Sequence, residues 1–272
     1  MSRENVASSF NRSALARICK LSERSFGRAF DLEKVTVPAD QWVSAPDNIY
    51  YHGDRGSNIL AVAHLDTVVR PDQRTARFIH TDAGEVVYSG ALDDRLGAYI
   101  ILDLLPELGI TCDILLTTGE ESGQSTAQFF QPSKDYDWLI EFDRGGTDVV
   151  LYQYDDMDTA ALVEESGAIV GTGIFSDICY LDHLGVKGFN WGTGYRDYHS
   201  VRSHAYLDDT FDMVASFERF YHANVGVRLD HEPARSEYDL CLGELDELAE
   251  LTEAELDDYF ISRKGWWNDV NL

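Results

Sequence analysis

Ile59-Leu60-Ala61-Val62-Ala63-His64-Leu65-Asp66 is the stretch from which the rest of the chain can be ordered. Five apolar residues in a row, Ile59 to Ala63, fit a short strand buried on both faces, the pattern of a parallel sheet covered by helices. The run stops on a histidine and an aspartate two residues apart, so the first polar side chains stand at the strand's carboxyl end. Outward from here the pattern repeats. Cys112 to Thr117, Trp138 to Phe142, Val149 to Tyr154 and Val186 to Asn190 are further runs of strand length. Around them lie helical spacings: Val6, Phe10, Leu15 and Ile18 within residues 5–20; Leu96, Tyr99, Ile100 and Leu104 ahead of Pro106 and Gly109; residues 158–165; and Phe211, Val214, Phe217 and Tyr221. Residues 76–80 and 85–88 read as a hairpin about Asp82-Ala83-Gly84. The alternation predicts an α/β fold of three αβα layers, a mainly parallel sheet with helices on both faces.

Sheets of this kind bind ligands beyond the carboxyl ends of their strands. Five segments rich in carboxylates or histidine follow predicted strands or lie in the loops leaving them: Ala63-His64-Leu65-Asp66-Thr67, Gly90-Ala91-Leu92-Asp93-Asp94-Arg95, Thr118-Gly119-Glu120-Glu121-Ser122-Gly123, Glu141-Phe142-Asp143-Arg144 and Asp197-Tyr198-His199-Ser200. Together they supply the nitrogen and oxygen donors that suit zinc. Two Zn²⁺ bring a charge of +4, and Asp93, Glu121 and Asp143 with one hydroxide bring −4, leaving His64 and His199 as neutral ligands. Co²⁺ or Mn²⁺ would satisfy the same donors. In an extended segment His64 and Asp66 share a side, so Asp66 can orient the imidazole. Glu120 and Glu121, adjacent at a strand end, diverge, which lets one bind metal while the other meets water. Each segment alone has a plainer reading: a structural histidine, a helix cap with a surface ion pair at Asp93-Asp94-Arg95, a solvated Glu120-Glu121 turn, an Asp143-Arg144 pair. The combination points to a metal centre.

The five motifs in this order, over residues 58–222, resemble the superfamily of dizinc exopeptidases and deacylases, and the layout is most similar to that of its single-domain zinc aminopeptidases. The resemblance implies the phosphorylase/hydrolase-like zinc peptidase fold. It further implies that His64, Asp93 and Asp143 bind one zinc, that Glu121, His199 and the shared Asp93 bind the other, that Glu120 is the general base, and that Asp66 orients His64. A cis peptide at Asp93-Asp94 comes with it. The family's final motif has an acidic residue about four positions after the histidine; Ser203 and His204 stand there instead, which leaves His204 as an alternative last ligand. The implied reaction is hydrolysis of an amide bond by a hydroxide shared between the metals, with Glu120 taking the proton of the water and returning it to the leaving nitrogen. Arg144, Tyr195 and Arg196 are candidates for contacting a substrate carboxylate or the oxyanion. A peptide is one substrate class and an N-acyl amino acid another; a metal-binding module without turnover is the reading from a different class.

Carboxypeptidase-like relatives carry a lid domain between the equivalents of Asp143 and His199, but here residues 144–198, 55 in all, are taken up by strands and a helix. Residues 65–92, 28 in all, leave no room for the β domain of tetrahedral aminopeptidases. A single catalytic domain over 1–272 is expected, with residues 243–272 as an acidic helical extension in which Leu245, Leu248, Leu251 and Leu256 keep a helical pattern.

The 272 residues carry 22 Lys plus Arg against 48 Asp plus Glu, a net charge of −26. Such a surface repels phosphate backbones and anionic lipids, which argues against nucleic-acid and membrane partners. No stretch approaches the roughly 20 apolar residues of a membrane span, Glu4, Asn11 and Arg12 interrupt any signal-peptide core, and a cytoplasmic location is expected. Cys19, Cys112, Cys179 and Cys241 lie far apart and form neither a disulfide framework nor a thiolate zinc site. Only five of the basic residues are lysines (Lys20, Lys34, Lys134, Lys187 and Lys264), a balance that resembles proteins from salt-loving organisms. Screening of this self-repulsion is expected to raise the unfolding midpoint in molar potassium chloride relative to low salt; an unchanged midpoint would mark the charge as unrelated to habitat.

Overall fold

The computed structural model describes residues 2–38 and 48–233. The acidic segment 243–272 and Cys241 lie outside the described residues. Twelve strands are present among the described residues: β1 (Glu33–Thr36), β2 (Ile49–Gly53), β3 (Ile59–His64), β4 (Arg77–Thr81), β5 (Gly84–Tyr88), β6 (Asp113–Thr117), β7 (Trp138–Arg144), β8 (Val149–Val150), β9 (Val170–Gly171), β10 (Gly188–Gly192), β11 (Tyr195–Arg196) and β12 (His204–Tyr206). The helices are α1 (Arg3–Ser9), α2 (Arg12–Lys20), α3 (Phe26–Phe30), α4 (Leu92–Tyr99), α5 (Leu105–Glu107), α6 (Met157–Glu165) and α7 (Leu207–Asn224).

Eight strands form one sheet in the order β1-β2-β6-β3-β7-β10-β8-β9. Its four central strands, β6, β3, β7 and β10, run parallel, and antiparallel pairs flank them at β2 and β8. The predicted hairpin is β4–β5, and it joins β12 and β11 in a separate four-stranded antiparallel sheet. Strand period sorts the core into two faces. Ile59, Ala61 and Ala63 of β3, Ile114 and Leu116 of β6, and Trp138, Ile140 and Phe142 of β7 pack against helical residues that include Val6, Leu15, Leu96 and Val214. The intervening Leu60, Val62, Leu115 and Leu139 pack with Ala127, Tyr154, Ile178 and Leu181. The fold is therefore three-layered, and the layer on the second face consists of 3₁₀ turns at Thr126–Phe129, Tyr152–Tyr154 and Asp177–Leu184. Edge-to-face contacts seat α7 on the sheet, Trp138 on Phe220 at 5.3 Å and Trp191 on Phe217 at 5.4 Å between ring centres.

Local chemistry explains where boundaries depart from expectation. The predicted helix over 5–20 is two helices, because the Asn11 side chain accepts from the Ser13 and Ala14 amides and caps α2. Phe10, in extended backbone, turns inward onto Tyr99 and Phe211. The strand expected over 149–154 ends at Val150, since Tyr152 has φ 49° and extended backbone cannot continue through it. Gly192 and Gly194 allow close approach of the chain, Gly192 to the Gly146 and Asp148 carbonyl oxygens and Gly194, at φ 79°, to Asp209.

Gly97 packs α4 against the carboxyl end of β7: a Cβ there would meet the Phe142 carbonyl oxygen at 2.7 Å and collide with the Asp94 carboxylate. Gly97→Ala is expected to cost about 2 kcal/mol through overpacking, or about 5 °C in Tm by thermal unfolding; an unchanged Tm would show that α4 shifts freely.

Candidate metal centre

The parallel strands deliver their functional side chains to one edge. His64 is the last residue of β3 and fully buried. Asp143 lies near the end of β7, and β6 ends at Thr117, two residues before Gly119. Gly119, at φ 92°, reverses the chain into a 3₁₀ turn, Glu120–Ser122, that presents the two glutamates. Asp93 precedes the regular part of α4, with φ −84° and ψ 106°, and the Asp93–Asp94 peptide is cis, the conformation the resemblance implied. Asp94 is a cap, as its alternative reading held: its Oδ1 accepts from the Gly97 amide at 3.0 Å. Arg95, on that reading part of a surface ion pair, is instead fully buried and donates to the Leu65 carbonyl at 2.6 Å.

Asp93 stands between two histidines. Its Oδ1 is 3.0 Å from His64 Nε2 and its Oδ2 is 3.2 Å from His199 Nε2. On the first side Asp143 Oδ1 lies 3.6 Å and Glu120 Oε2 3.8 Å from His64 Nε2. On the second, Glu121 Oε2 lies 2.9 Å from His199 Nε2. Donor atoms of His64, Asp93 and Glu121, and of His64, Glu120 and Asp143, all come within 4.8 Å of one another. A tetrahedral zinc with bonds of about 2.0–2.1 Å needs donors about 3.4 Å apart, and the separations of 3.0, 3.6, 2.9 and 3.2 Å bracket that value. The buried Glu121 Oε1 has no hydrogen-bond partner. Oxygen and imidazole donors at these spacings, with an orphaned carboxylate oxygen among them, fit divalent zinc.

Supporting contacts fix the donors. His64 Nδ1 donates to the main-chain carbonyl of Asp66 at 3.0 Å, while the Asp66 carboxylate, expected to be the orienting group, is 3.7 Å from it. That carboxylate accepts from the Gly119 amide at 2.8 Å and the Glu121 amide at 3.2 Å, so it clamps the turn bearing Glu120 and Glu121. Asp143 and Asn190 exchange two bonds: the Asp143 amide donates to Asn190 Oδ1 at 3.0 Å, and Asn190 Nδ2 donates to the Asp143 carbonyl at 3.2 Å. Tyr195 donates its hydroxyl to Asp143 Oδ1 at 3.0 Å. His199 is half-exposed and has φ 55°, a left-handed conformation that histidine adopts at some cost and that clusters at functional sites. His204, the alternative ligand, is stacked on Tyr88 at 5.3 Å, and no ion pair joins it to Asp93, Glu121 or Asp143 among the described residues. Arg144 is paired with Asp148 at 3.1 Å and Arg196 with Asp209 at 2.8 Å, both on the wall of a cleft of about 790 Å³ that Asp93, Glu120, Asp143, Tyr195 and His199 also line.

Burial sets the electrostatics. It pushes Glu120 up to about 8, with Asp143 and Asp177 adding to the rise and His64 opposing it, and pushes Asp143 up to about 7. Burial also raises Glu141 well above the usual range, with Asp143 and Asp177 contributing. Asp93 goes the other way: burial is outweighed by hydrogen bonds to His199 and His64. Glu141 and Asp177, both fully buried behind the site and bonded to Ser176 and Thr117, had no role in the sequence reading. Strand period could have found Glu141, which shares a side of β7 with Asp143.

No family model and no curated protein matches the sequence. Solved structures do match by shape. A tripeptidase from Staphylococcus aureus subsp. aureus mu50 superimposes with a TM-score of 0.55 at 12% identity, over 81% of this chain and 98% of that one. Aminopeptidase PepT from Bacillus cereus gives 0.56 at 12% identity, over 82% and 99%. The chain shares the fold of these peptidases. Glutaminyl cyclase from Porphyromonas gingivalis is also similar, with a TM-score of 0.51 at 13% identity over 82% and 99%. At such identities the likeness speaks for the architecture, and the chemistry rests on the residues of this chain.

A hydrogen bond to Asp93 raises His199 to about 9 in the metal-free protein, against burial and with help from Glu121. Its imidazolium therefore stabilises the fold below the unfolded value of 6.5, and this contribution is lost as pH rises through about 9. Zinc takes only the neutral ring, so binding releases a proton and apparent zinc affinity is expected to climb between pH 6.5 and 9. Chelator competition across this range checks it, and a pH-independent affinity would remove His199 from the ligand set.

Proposed function

We propose that the protein is a zinc-dependent exopeptidase that removes residues from the amino end of peptides. His64, Asp93 and Asp143 would hold one zinc, and Asp93, Glu121 and His199 would hold a second. The observation that carries this reading is the position of Asp93, whose two oxygens each face one histidine at 3.0 and 3.2 Å. Zinc bound there supplies polarisation of the scissile carbonyl and an acidified water.

The chain's own residues do the rest. Glu120 is not needed to complete either ligand set, lines the cleft and is raised to about 8 by burial, so its carboxylate has an unusually high proton affinity. It accepts a proton from the attacking water and returns it to the leaving nitrogen. Asp66 holds Glu120 in place through the Gly119 and Glu121 amides. Tyr195, kept protonated by burial and by Asp143, fixes the Asp143 carboxylate. A deacylase of N-acyl amino acids needs a cation for the substrate's carboxylate. The two cations lining the cleft among the described residues, Arg144 and Arg196, already have carboxylate partners, which favours the aminopeptidase reading. On this reading the described residues form one catalytic unit, supported by residues 144–198, which are given to β8 to β11, α6 and 3₁₀ turns.

Zinc-loaded protein is expected to hydrolyse amino-acid anilides in preference to N-acyl amino acids. Glu120→Gln is expected to keep its zinc, measured by elemental analysis, while kcat falls by about 10²–10⁴. Retained activity in this variant would remove Glu120 as the base. Turnover of N-acyl substrates alone would select the deacylase, and two bound zinc ions without any turnover would select the silent metal-binding module.

A further inference from the structure

The loop after β9 lines the same cleft as Asp93, Glu120 and Asp143. Gly171 ends the strand, Gly173 follows, and Ile174 and Phe175 precede the buried Ser176-Asp177. Ile174 is 100% exposed and lines the same cleft as Glu120 and Asp143. A lone exposed isoleucine needs no explanation; this one sits on a loop tied to the metal centre. The Phe175 carbonyl accepts from the Tyr152 hydroxyl at 3.4 Å, and that hydroxyl accepts from Asn190 Nδ2 at 3.0 Å. Asn190 is the residue that holds Asp143. The Phe175 ring packs edge-on to Tyr180 at 5.2 Å. The base of the loop is thus fixed relative to Asp143, and Ile174 projects from it with no apolar surface of its own covered.

We propose that Ile174 is a specificity-determining residue: it covers the side chain of the substrate's amino-terminal residue and selects apolar side chains over acidic ones. This rests on the aminopeptidase reading and deepens it. Contact between Ile174 and an aliphatic side chain removes apolar area from water on both sides, whereas a carboxylate there loses hydration without gaining a partner. The pairing of Arg144 with Asp148 and of Arg196 with Asp209 leaves neither arginine free to receive an acidic side chain.

The test compares zinc-loaded wild type, Ile174→Ala and Ile174→Asp on leucine, alanine, glutamate and lysine anilides. Wild type is expected to favour leucine over alanine by about 10-fold in kcat/KM, with glutamate poorest. The leucine-to-alanine ratio is expected to fall to about 2 in Ile174→Ala, and Ile174→Asp is expected to favour lysine. Because Ile174 buries nothing, circular dichroism and Tm should match wild type in both variants. A second readout needs no turnover: calorimetric binding of L-leucinamide and L-alaninamide to zinc-loaded Glu120→Gln protein, with and without each Ile174 change. A leucinamide preference that disappears with Ile174 supports the subsite even if no anilide is cleaved, in which case the hydrolytic reading alone falls. Ratios that stay the same in all three proteins, or a wild-type preference for glutamate, overturn the proposal.

Discussion

Four carboxylates, Asp93, Glu120, Glu121 and Asp143, are drawn to within a few ångström of two imidazoles at the end of a parallel sheet, and little of their charge reaches solvent. Like charges in so small and dry a volume repel strongly. Without metal, burial first and the neighbouring carboxylates second raise Glu120 and Asp143, and the same carboxylates raise both imidazoles against burial, so the site favours proton uptake. Two divalent cations would relieve the repulsion without protons. Much of the surrounding structure serves to hold these repelling groups together: the Asp66 clamp on the glutamate turn, the Asn190 pair behind Asp143, and Tyr195 in front of it.

The sheet is what makes this assembly possible. Parallel strands end on the same edge, so residues far apart in the chain arrive together without long loops. Period two then decides the side: His64 continues the face of Leu60 and Val62, and Asp143 continues that of Leu139 and Glu141. The second face carries 3₁₀ turns in place of longer helices. One of them, Asp177–Leu184, sends Ile178 and Leu181 to the core and brings Asp177 up behind Glu120.

Where apolar runs were long and ended abruptly in polar residues, the sequence was legible. The central strands, α4 and α7 have that character, and the structure brings the histidine and carboxylate segments together at one edge of the sheet. Legibility failed where structure is set by partners rather than by local pattern. Strands β1 and β12 are short and mostly exposed or half-buried, and pair with neighbours that the sequence does not announce. The turn at 177–184 repeats Ile178, Leu181 and Leu184 every third residue, a 3₁₀ spacing easily lost among helical ones. The loop carrying Ile174 has no period at all, and only the position of its base on Tyr152 gives it meaning. Asp66 does lie against the His64 imidazole, but the pattern did not reveal that its main-chain oxygen makes the short contact while its carboxylate, 3.7 Å from Nδ1, also clamps the neighbouring turn.

Asn190 shows how a sheet can release a side chain without leaving peptide groups stranded. The register between β7 and β10 shifts after this residue, and its carboxamide, donor and acceptor together, replaces the rung that the shift removes. Aspartate at this position would lack the donor, and leucine would lack both functions. Tolerance to change there is therefore governed by the needs of the backbone, so a side chain remote from any bond-making step is held to one identity as narrowly as a ligand.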